Sequence, residues 1–149
     1  MMEEEKIAQI RLFNRYYTTV LGVLDKHYLN SDFSLTETRI MFEIHRQPGG
    51  ITASGLIELL QLDKGYLSRI LQTFEKKKII EKKRAADDKR SFYLHLSPLG
   101  LTTFLKINTA AEQLAAHMLS SLTDSEAEDL VGHMNAIRQI LSKSNTLNK

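Results

Sequence analysis

The stretch that decides the fold runs from residue 63 to residue 98 and reads DKGYLSRILQTFEKKKIIEKKRAADDKRSFYLHLSP. Apolar residues recur in its first third at the three- and four-residue spacing of one helix face: Leu67, Ile70, Leu71 and Phe74. Asp63 stands directly before this run, where an N-cap residue is expected. We therefore predict an amphipathic helix over residues 63–77.

The apolar pattern after this helix changes from a helical period to a period of two. Phe92, Leu94 and Leu96 alternate with more polar residues, which predicts a strand, and an earlier strand is predicted at 79–83. The segment between the two strands is strongly charged. A hairpin with a charged tip directly after a helix predicts a wing over residues 79–97.

Three helices are predicted before this stretch. The first spans residues 3–29 and carries one apolar seam. The second begins at a cap that is either Ser34 or Thr36, and the third runs from the cap Thr52 to Leu60. The residues of the third helix that we expect to point inward are Leu56, Leu59 and Leu60.

Two further helices are predicted after the wing. Ser97 caps the first of them, with Pro98 at its first position, and Thr123 with Glu126 forms a capping box at the start of the second. The helices at both ends of the chain have apolar seams without a partner in a small winged domain. Such seams are usually buried against another helix, so we expect a homodimer; packing within one chain is the alternative.

The charge of the chain is concentrated in one segment. Residues 64–90 contain ten basic and four acidic residues, a net charge of +6, whereas the whole chain carries +2 and the remainder therefore −4. A local basic segment on a mildly acidic body is typical of a DNA-binding element. The alternative is a solvated helix face followed by a loop.

Composition argues against several other classes of protein. The chain has no Cys, which excludes disulfides and thiolate metal sites. No secretory signal and no apolar run of membrane-spanning length is present, so we expect a soluble, cytoplasmic protein without membrane contact. The five His form no metal-binding pair on a helix, and no phosphate-binding glycine loop or nucleophile motif occurs, so we expect neither an enzyme nor a cofactor.

The stretch 35–100 resembles the MarR family of transcriptional regulators. The similar segments follow one another in the family's order: Leu35 to Arg39, Asp63 to Arg69, Phe74 to Ile80, Asp88 to Ser91, and Leu96 to Gly100. The resemblance implies a mainly α fold with a small two-stranded β wing, a winged helix-turn-helix with N- and C-terminal dimerisation helices. The implied segments are 1–33 and 99–149 for dimerisation and 34–98 for the DNA-binding lobe.

This reading implies a regulator of transcription that binds double-stranded DNA, most simply a repressor on a pseudo-palindromic operator. The fourth helix presents polar residues suited to the major groove, and the wing supplies cations for the backbone. The expected DNA contacts are Lys64, Tyr66, Ser68, Arg69, Gln72, Arg84, Lys89 and Arg90. By resemblance Arg90 enters the minor groove and Asp88 orients it. For Arg69 the alternative is an ion pair with Glu75 or Glu58.

Lys78 departs from the family pattern. The family usually has Gly at this position, where the helix ends in a left-handed turn. A Lys there costs roughly 1 kcal/mol if the turn is kept, or else indicates a different junction. Ser97 also stands where the family more often has Thr, which is a neutral exchange for a helix cap.

The resemblance further suggests a small anionic aromatic effector. Its candidate contacts are Arg15, Tyr16, Tyr17, His45 and Arg46, and the alternative is that these are interface or core residues. Two rival functions remain at this point. One is zinc sensing through Glu43, His45, Glu112 and His117, for which the ligand set is incomplete. The other is a winged-helix module that binds protein instead of DNA.

Overall fold

The structure is a computed structural model that describes residues 2–22, 29, 31–86 and 91–143. These ranges contain six helices and one antiparallel pair of strands, so the predicted mainly α class with a two-stranded sheet is confirmed. In chain order the elements are α1 (Glu3–Leu21), α2 (Leu35–Arg46), α3 (Ala53–Leu60), α4 (Lys64–Lys76), β1 (Ile80–Arg84), β2 (Phe92–Leu96), α5 (Pro98–Ser120) and α6 (Asp124–Ser142).

The chain divides into two compact units, Met1–Ile40 and Met41–Lys149. In the first unit, α1 buries none of its residues and ends at Leu21. Gly22 follows in the left-handed conformation, with φ 70°, and its N–H donates to the carbonyls of Thr18 and Thr19. The helix predicted over 3–29 is therefore interrupted at Gly22, because a glycine in this conformation ends a helix, and residues 23–28 of that prediction lie outside the described residues.

The start of α2 shows which of two residues is its cap. The Ser34 N–H donates to Glu37 Oε1 at 2.9 Å, and the Glu37 N–H donates to Ser34 Oγ at 3.2 Å. This reciprocal pair is a capping box, so Ser34 rather than Thr36 caps the helix. The helix ends at Arg46, before Pro48, which is a residue type that cannot continue it.

The second unit has its core between α3, α4, the two strands and the first half of α5. Its fully buried large apolar residues include Met41, Ile44, Leu56, Leu67, Phe74 and Leu94. The prediction that Leu59 points inward is wrong, since this side chain is 49% exposed. A helix of only eight residues buries one narrow stripe, and Leu59 lies about 100° around the helix from Leu60.

The two strands pair in antiparallel register, with Ile80 opposite Leu96 and Arg84 opposite Phe92. The pairing begins one residue later than predicted for the first strand, and the second strand has the predicted bounds. Ile51 forms an additional bridge to Leu94, which attaches the segment before α3 to the sheet. The hairpin is thereby fixed at its base to the same core as α3 and α4.

The junction from α4 to β1 keeps the left-handed turn even though its residue is lysine. Lys78 has φ 61°. The Lys78 N–H donates to the Glu75 carbonyl at 3.0 Å, and the Ile79 N–H donates to the Phe74 carbonyl at 2.8 Å. This is the Schellman arrangement that usually ends on glycine. The backbone of Lys78 therefore has a left-handed conformation that costs roughly 1 kcal/mol relative to Gly.

Ser97 joins this junction to the start of α5. Its N–H donates to the Ile79 carbonyl at 2.9 Å, and its hydroxyl donates to the Lys78 carbonyl at 2.6 Å. The same oxygen accepts from the Gly100 N–H at 2.9 Å, as predicted for an N-cap. A Cβ on Gly100 would clash with the Ile79 carbonyl oxygen, so the close approach of α5 to the junction requires glycine.

The second half of α5 and all of α6 bury little of their apolar surface. The predicted capping box at the start of α6 is confirmed by bonds of 3.0 and 3.1 Å between Thr123 and Glu126. The hydrogen bond that the Thr123 backbone N–H donates to the Glu126 carboxylate is the main cause that lowers the pKa of Glu126. Exposed large apolar residues on the two helices include Leu105, Leu119, Val131, Ile137, Ile140 and Leu141. None of the described helices combines the length and the apolar character needed to cross a membrane.

Candidate nucleic-acid interface

Helix α4 presents one buried face and one exposed polar face. Leu67, Ile70, Leu71 and Phe74 are buried, as their spacing predicts. The Asp63 carboxylate accepts a hydrogen bond of 2.9 Å from the Tyr66 N–H and caps the helix. The five residues of α4 that we predicted to contact DNA are all exposed: Lys64, Tyr66, Ser68, Arg69 and Gln72. The core thus fixes the helix and turns these side chains outward.

Arg69 lies on this exposed face without an acidic partner among the described residues. Neither of the alternative ion pairs, with Glu75 or with Glu58, forms in the structure. Its Nη1 lies 3.6 Å from the position that a Cβ on Gly65 would take, so the side chain turns back along the first turn of the helix. The guanidinium is therefore presented at the N-terminal half of α4.

The wing begins with two cations that lie over one aromatic ring. The guanidinium carbon of Arg84 is 5.5 Å from the centroid of Phe92, and Lys82 Nζ is 5.8 Å from the same centroid. Alternation along β1 places Lys82 and Arg84 on the same face of the hairpin. The predicted contact Arg84 is thus exposed at the last position of β1, next to an aromatic side chain that limits its freedom.

Lys82 forms an ion pair that the sequence did not suggest. Its Nζ lies 2.5 Å from Glu75 Oε1, so the carboxylate in the last turn of α4 is bound to the first strand of the wing. The charge pattern of residues 64–90 indicated either contact with DNA or solvation for the segment as a whole, and the pairing of Lys82 with a carboxylate of the protein differs from both. Only the strand register, which puts Lys82 on the face toward α4, would have indicated it.

A cleft of about 390 Å³ lies between the start of α3, the exposed face of α4 and the wing. Its polar lining residues are Thr52, Ser54, Ser68, Gln72, Glu75 and Lys82. Two of the predicted DNA contacts, Ser68 and Gln72, therefore line this cleft. The other wing predictions, Asp88, Lys89 and Arg90, lie outside the described residues.

The residues predicted to hold an effector fall in both units. Arg15, Tyr16 and Tyr17 lie on α1 in the first unit, where the ring of Tyr17 stacks on Phe13 at 5.5 Å. His45 and Arg46 end α2 in the second unit.

Both residues of the second unit take part in packing there. The His45 ring centroid lies 4.8 Å from that of Phe104, and the Arg46 guanidinium carbon is 5.7 Å from the Phe42 ring centroid. Arg46 also lies 3.8 Å from the carboxylate of Glu43. Both side chains are nevertheless exposed, so neither is a core residue, and their contact with an effector stays a prediction.

The zinc alternative gains no support from the part of the chain that the structure describes. No three His, Asp or Glu side chains lie close enough there to hold a metal ion. Glu112, one of the residues considered for it, accepts instead a hydrogen bond of 3.5 Å from Asn108 of the same helix.

The chain is similar to one protein family and to several known proteins. Residues 31–91 match the model of the MarR family. A putative transcriptional regulatory protein for the hcr operon of Thauera aromatica is 24% identical over 127 residues, which cover 85% of this chain and 70% of that protein.

Three solved structures share the fold of this chain over most of their length. Wild-type MarR from E. coli in its apo form gives a TM-score of 0.70 at 21% identity, covering 85% of this chain and 94% of that one. Streptococcus pneumoniae FabT in complex with DNA gives 0.77 at 19% identity, covering 95% and 99%. The S. aureus MepR–DNA complex gives 0.70 at 20% identity, covering 90% and 96%. These likenesses identify the arrangement of α2 to α5 as a winged helix-turn-helix.

Proposed function

We propose that this chain, whose residues 31–91 match the model of the MarR family, regulates transcription by binding double-stranded DNA at specific sequences. The exposed polar face of α4, held in place by a buried apolar face and set beside a wing, supports this most directly. Two relatives of the same fold, FabT and MepR, are known in complexes with DNA, which is consistent with it. We call α4 the recognition helix below.

The side chains of the recognition helix suit the major groove. An α-helix fits that groove, where arginine binds guanine with two hydrogen bonds and glutamine binds adenine in the same way. We assign these roles to Arg69 and Gln72, which are both exposed. Ser68 and Tyr66 supply hydroxyls for base or phosphate oxygens, and Lys64 supplies a charge for the phosphate backbone.

The wing supplies the remaining contacts of the proposal. Arg84 is exposed beside Phe92 and neutralises a phosphate, as does Lys89. By the family resemblance Arg90 enters the minor groove, where a narrow groove concentrates negative potential, and Asp88 orients it. The recognition helix then reads base edges while the wing senses groove shape.

The dimer of the proposal rests on apolar surface at the two ends of the chain. Ile7, Ile10 and Phe13 are exposed on α1, and Ile137 and Ile140 are exposed on α6. Exposed apolar surface of this kind marks an interaction site, and a second copy of the chain is the simplest partner. Segments 1–33 and 99–149 are then the dimerisation segments, and 34–98 is the DNA-binding lobe.

A dimer of this kind places two recognition helices about one helical turn of DNA apart, roughly 34 Å. We therefore propose a pseudo-palindromic operator, with repression as the mode of regulation.

Selection of bound duplexes from a random library tests the proposal directly. We expect one enriched, inverted-repeat site, with an affinity that falls steeply as salt is added. Arg69→Ala weakens binding to that site by about 1–3 kcal/mol because a bidentate base contact is lost. Lys143→Ala, which removes an exposed cation at the end of α6, serves as the control and leaves affinity unchanged. Absence of any duplex binding at low salt would instead favour a protein partner.

The effector stays a prediction that a separate screen tests. A phenolic carboxylate bound at Arg15, Tyr16, Tyr17, His45 or Arg46 would raise the thermal stability of the protein and lower its DNA affinity. If a broad set of phenolic acids changes neither quantity, the effector prediction fails while DNA binding remains.

A further inference from the structure

One ion pair connects the recognition helix to the wing. Lys82 Nζ lies 2.5 Å from Glu75 Oε1, and the two side chains are 44% and 42% exposed. Lys82 also lies 5.8 Å from the centroid of Phe92 on the opposite strand. The ammonium is thus held between a carboxylate of α4 and a ring of β2, so it links the helix to both strands of the hairpin.

Glu75 occupies the same side of the helix as two residues that are proposed to contact DNA. Ser68, Gln72 and Glu75 follow one another at spacings of four and three residues, which places them on one stripe. All three line the 390 Å³ cleft between the helix and the wing. A negative charge therefore lies on the surface that faces the DNA.

Electrostatics alone would make this carboxylate unfavourable. A fixed negative charge repels phosphates, so Glu75 by itself should lower the affinity for every duplex regardless of its sequence. Its bond to Lys82 offers a second role for the residue. The pair fixes the distance between the helix that reads the major groove and the strand that leads to the wing tip.

We propose that Glu75 is a specificity-determining residue that acts by positioning: through Lys82 it holds the wing in register with the recognition helix, so that both engage one site together. The inference rests on the proposed DNA-binding function. It assigns Lys82 to the protein's own carboxylate instead of to a phosphate. Lys82 therefore contributes to discrimination between sequences and not to general affinity.

The size of the effect follows from the exposure of the pair. A half-exposed ion pair is worth at most about 1 kcal/mol, which corresponds to roughly a fivefold change in an equilibrium constant. We therefore expect about a two- to fivefold loss in the ratio of specific to non-specific affinity when the pair is broken. Arg69 acts on the bases directly and its removal has a larger effect.

The test compares Glu75→Gln with Glu81→Gln at constant ionic strength. Glu81 is an exposed carboxylate on the opposite face of β1, so its variant matches the change in charge without breaking the pair. Affinities are measured by fluorescence anisotropy for the selected site and for an unrelated duplex. We expect Glu75→Gln to lower the ratio of the two affinities about two- to fivefold, and Glu81→Gln to leave it unchanged.

Lys82→Gln should lower the same ratio without changing the slope of log affinity against log salt, because Lys82 neutralises no phosphate. The exchange Glu75→Lys with Lys82→Glu keeps the net charge and should bring the ratio back toward the wild-type value. Equal thermal stability of the variants, measured by circular dichroism, ensures that folded proteins are compared.

The inference is overturned if Glu75→Gln raises affinity for both duplexes by the same factor, or if Lys82→Gln lowers both equally and reduces the salt slope by about one. It is also overturned if the exchanged pair is no better than the single variants. A wild-type protein that binds DNA with no sequence preference would contradict the proposed function itself. This outcome is measured on the wild-type protein without any variant, so it is distinguished from a failure of the inference about Glu75.

Discussion

Helices α4 and α6 are both amphipathic, but they use their apolar faces in opposite ways. The recognition helix buries four apolar residues in the core of its own unit and exposes its polar side. In α6, by contrast, none of the 19 residues is buried, and Ile140 is 63% exposed. The difference agrees with the two partners proposed above, nucleic acid on the polar side of α4 and a second copy of the chain on the apolar side of α6.

The largest effect should come from removing a core residue of α4. Phe74→Ala leaves a cavity at a fully buried position and should lower the free energy of unfolding by about 3–5 kcal/mol. Chemical denaturation monitored by circular dichroism measures it. The counterpart is Leu141→Ala on the exposed side of α6. Measured on dilute protein, this change should lower the free energy of unfolding by less than about 0.5 kcal/mol. Similar losses for the two would remove the contrast between the helices.

A second pair of variants compares one glycine from each environment. Gly100→Ala forces a methyl group against the Ile79 carbonyl and should cost about 1–3 kcal/mol of stability or more. Gly132→Ala in α6 meets nothing within 4 Å and should stabilise the chain by about 0.5–1 kcal/mol through helix propensity. Thermal unfolding gives both values. A destabilising Gly132→Ala would mean that another chain covers this position.

A charge placed on α6 should act on assembly instead of on folding. Ile140→Glu introduces a carboxylate into the proposed dimer surface, and we expect the dimer to dissociate at least tenfold more readily, or about 1.4 kcal/mol. Sedimentation velocity over a range of concentrations measures the change. Glu128→Gln, an exposed change on the same helix, is the control. Unaltered sedimentation of the Ile140 variant would exclude this face from the interface.

The smallest effect concerns the end of the recognition helix. Lys78→Gly relieves a left-handed conformation and should raise stability by up to about 1 kcal/mol. Lys77→Gly, one residue earlier at φ −81°, should lower it, because there glycine only adds freedom to the unfolded chain. Urea denaturation measures the free energy of unfolding of both variants and shows whether each change is stabilising or destabilising. Loss of stability in the Lys78 variant would show that the lysine side chain makes a compensating contact.

Much of the fold could be predicted from local patterns. The caps Asp63, Ser97 and Thr123 were predicted because a cap is recognised within four residues of sequence. The exposed face of α4 followed from the spacing of its apolar residues, which also gave the set of candidate contacts. The early end of α1 at Gly22 was missed, since the apolar seam alone suggested a continuous helix.

The contacts that depend on tertiary structure could not be predicted in this way. Glu75 and Lys82 meet only because the turn at Lys78 brings β1 back beside α4. From the sequence, Glu75 was an alternative ion-pair partner for Arg69, because both residues lie on α4. That alternative was wrong, since Glu75 pairs with Lys82. The position of Arg84 over Phe92 likewise requires the strand register, which periodicity alone leaves undetermined.

The bonds at Ser97 also have a mechanical consequence. They attach the junction that follows the recognition helix to the N-cap of a 23-residue helix, α5, so a rotation of α5 with Ser97 as its pivot would be transmitted to that junction. Such a helix is about 34 Å long. A rotation of about 5° at the pivot therefore corresponds to a displacement of about 3 Å at the far end. A small shift where α5 ends would in this way change the tilt of the recognition helix.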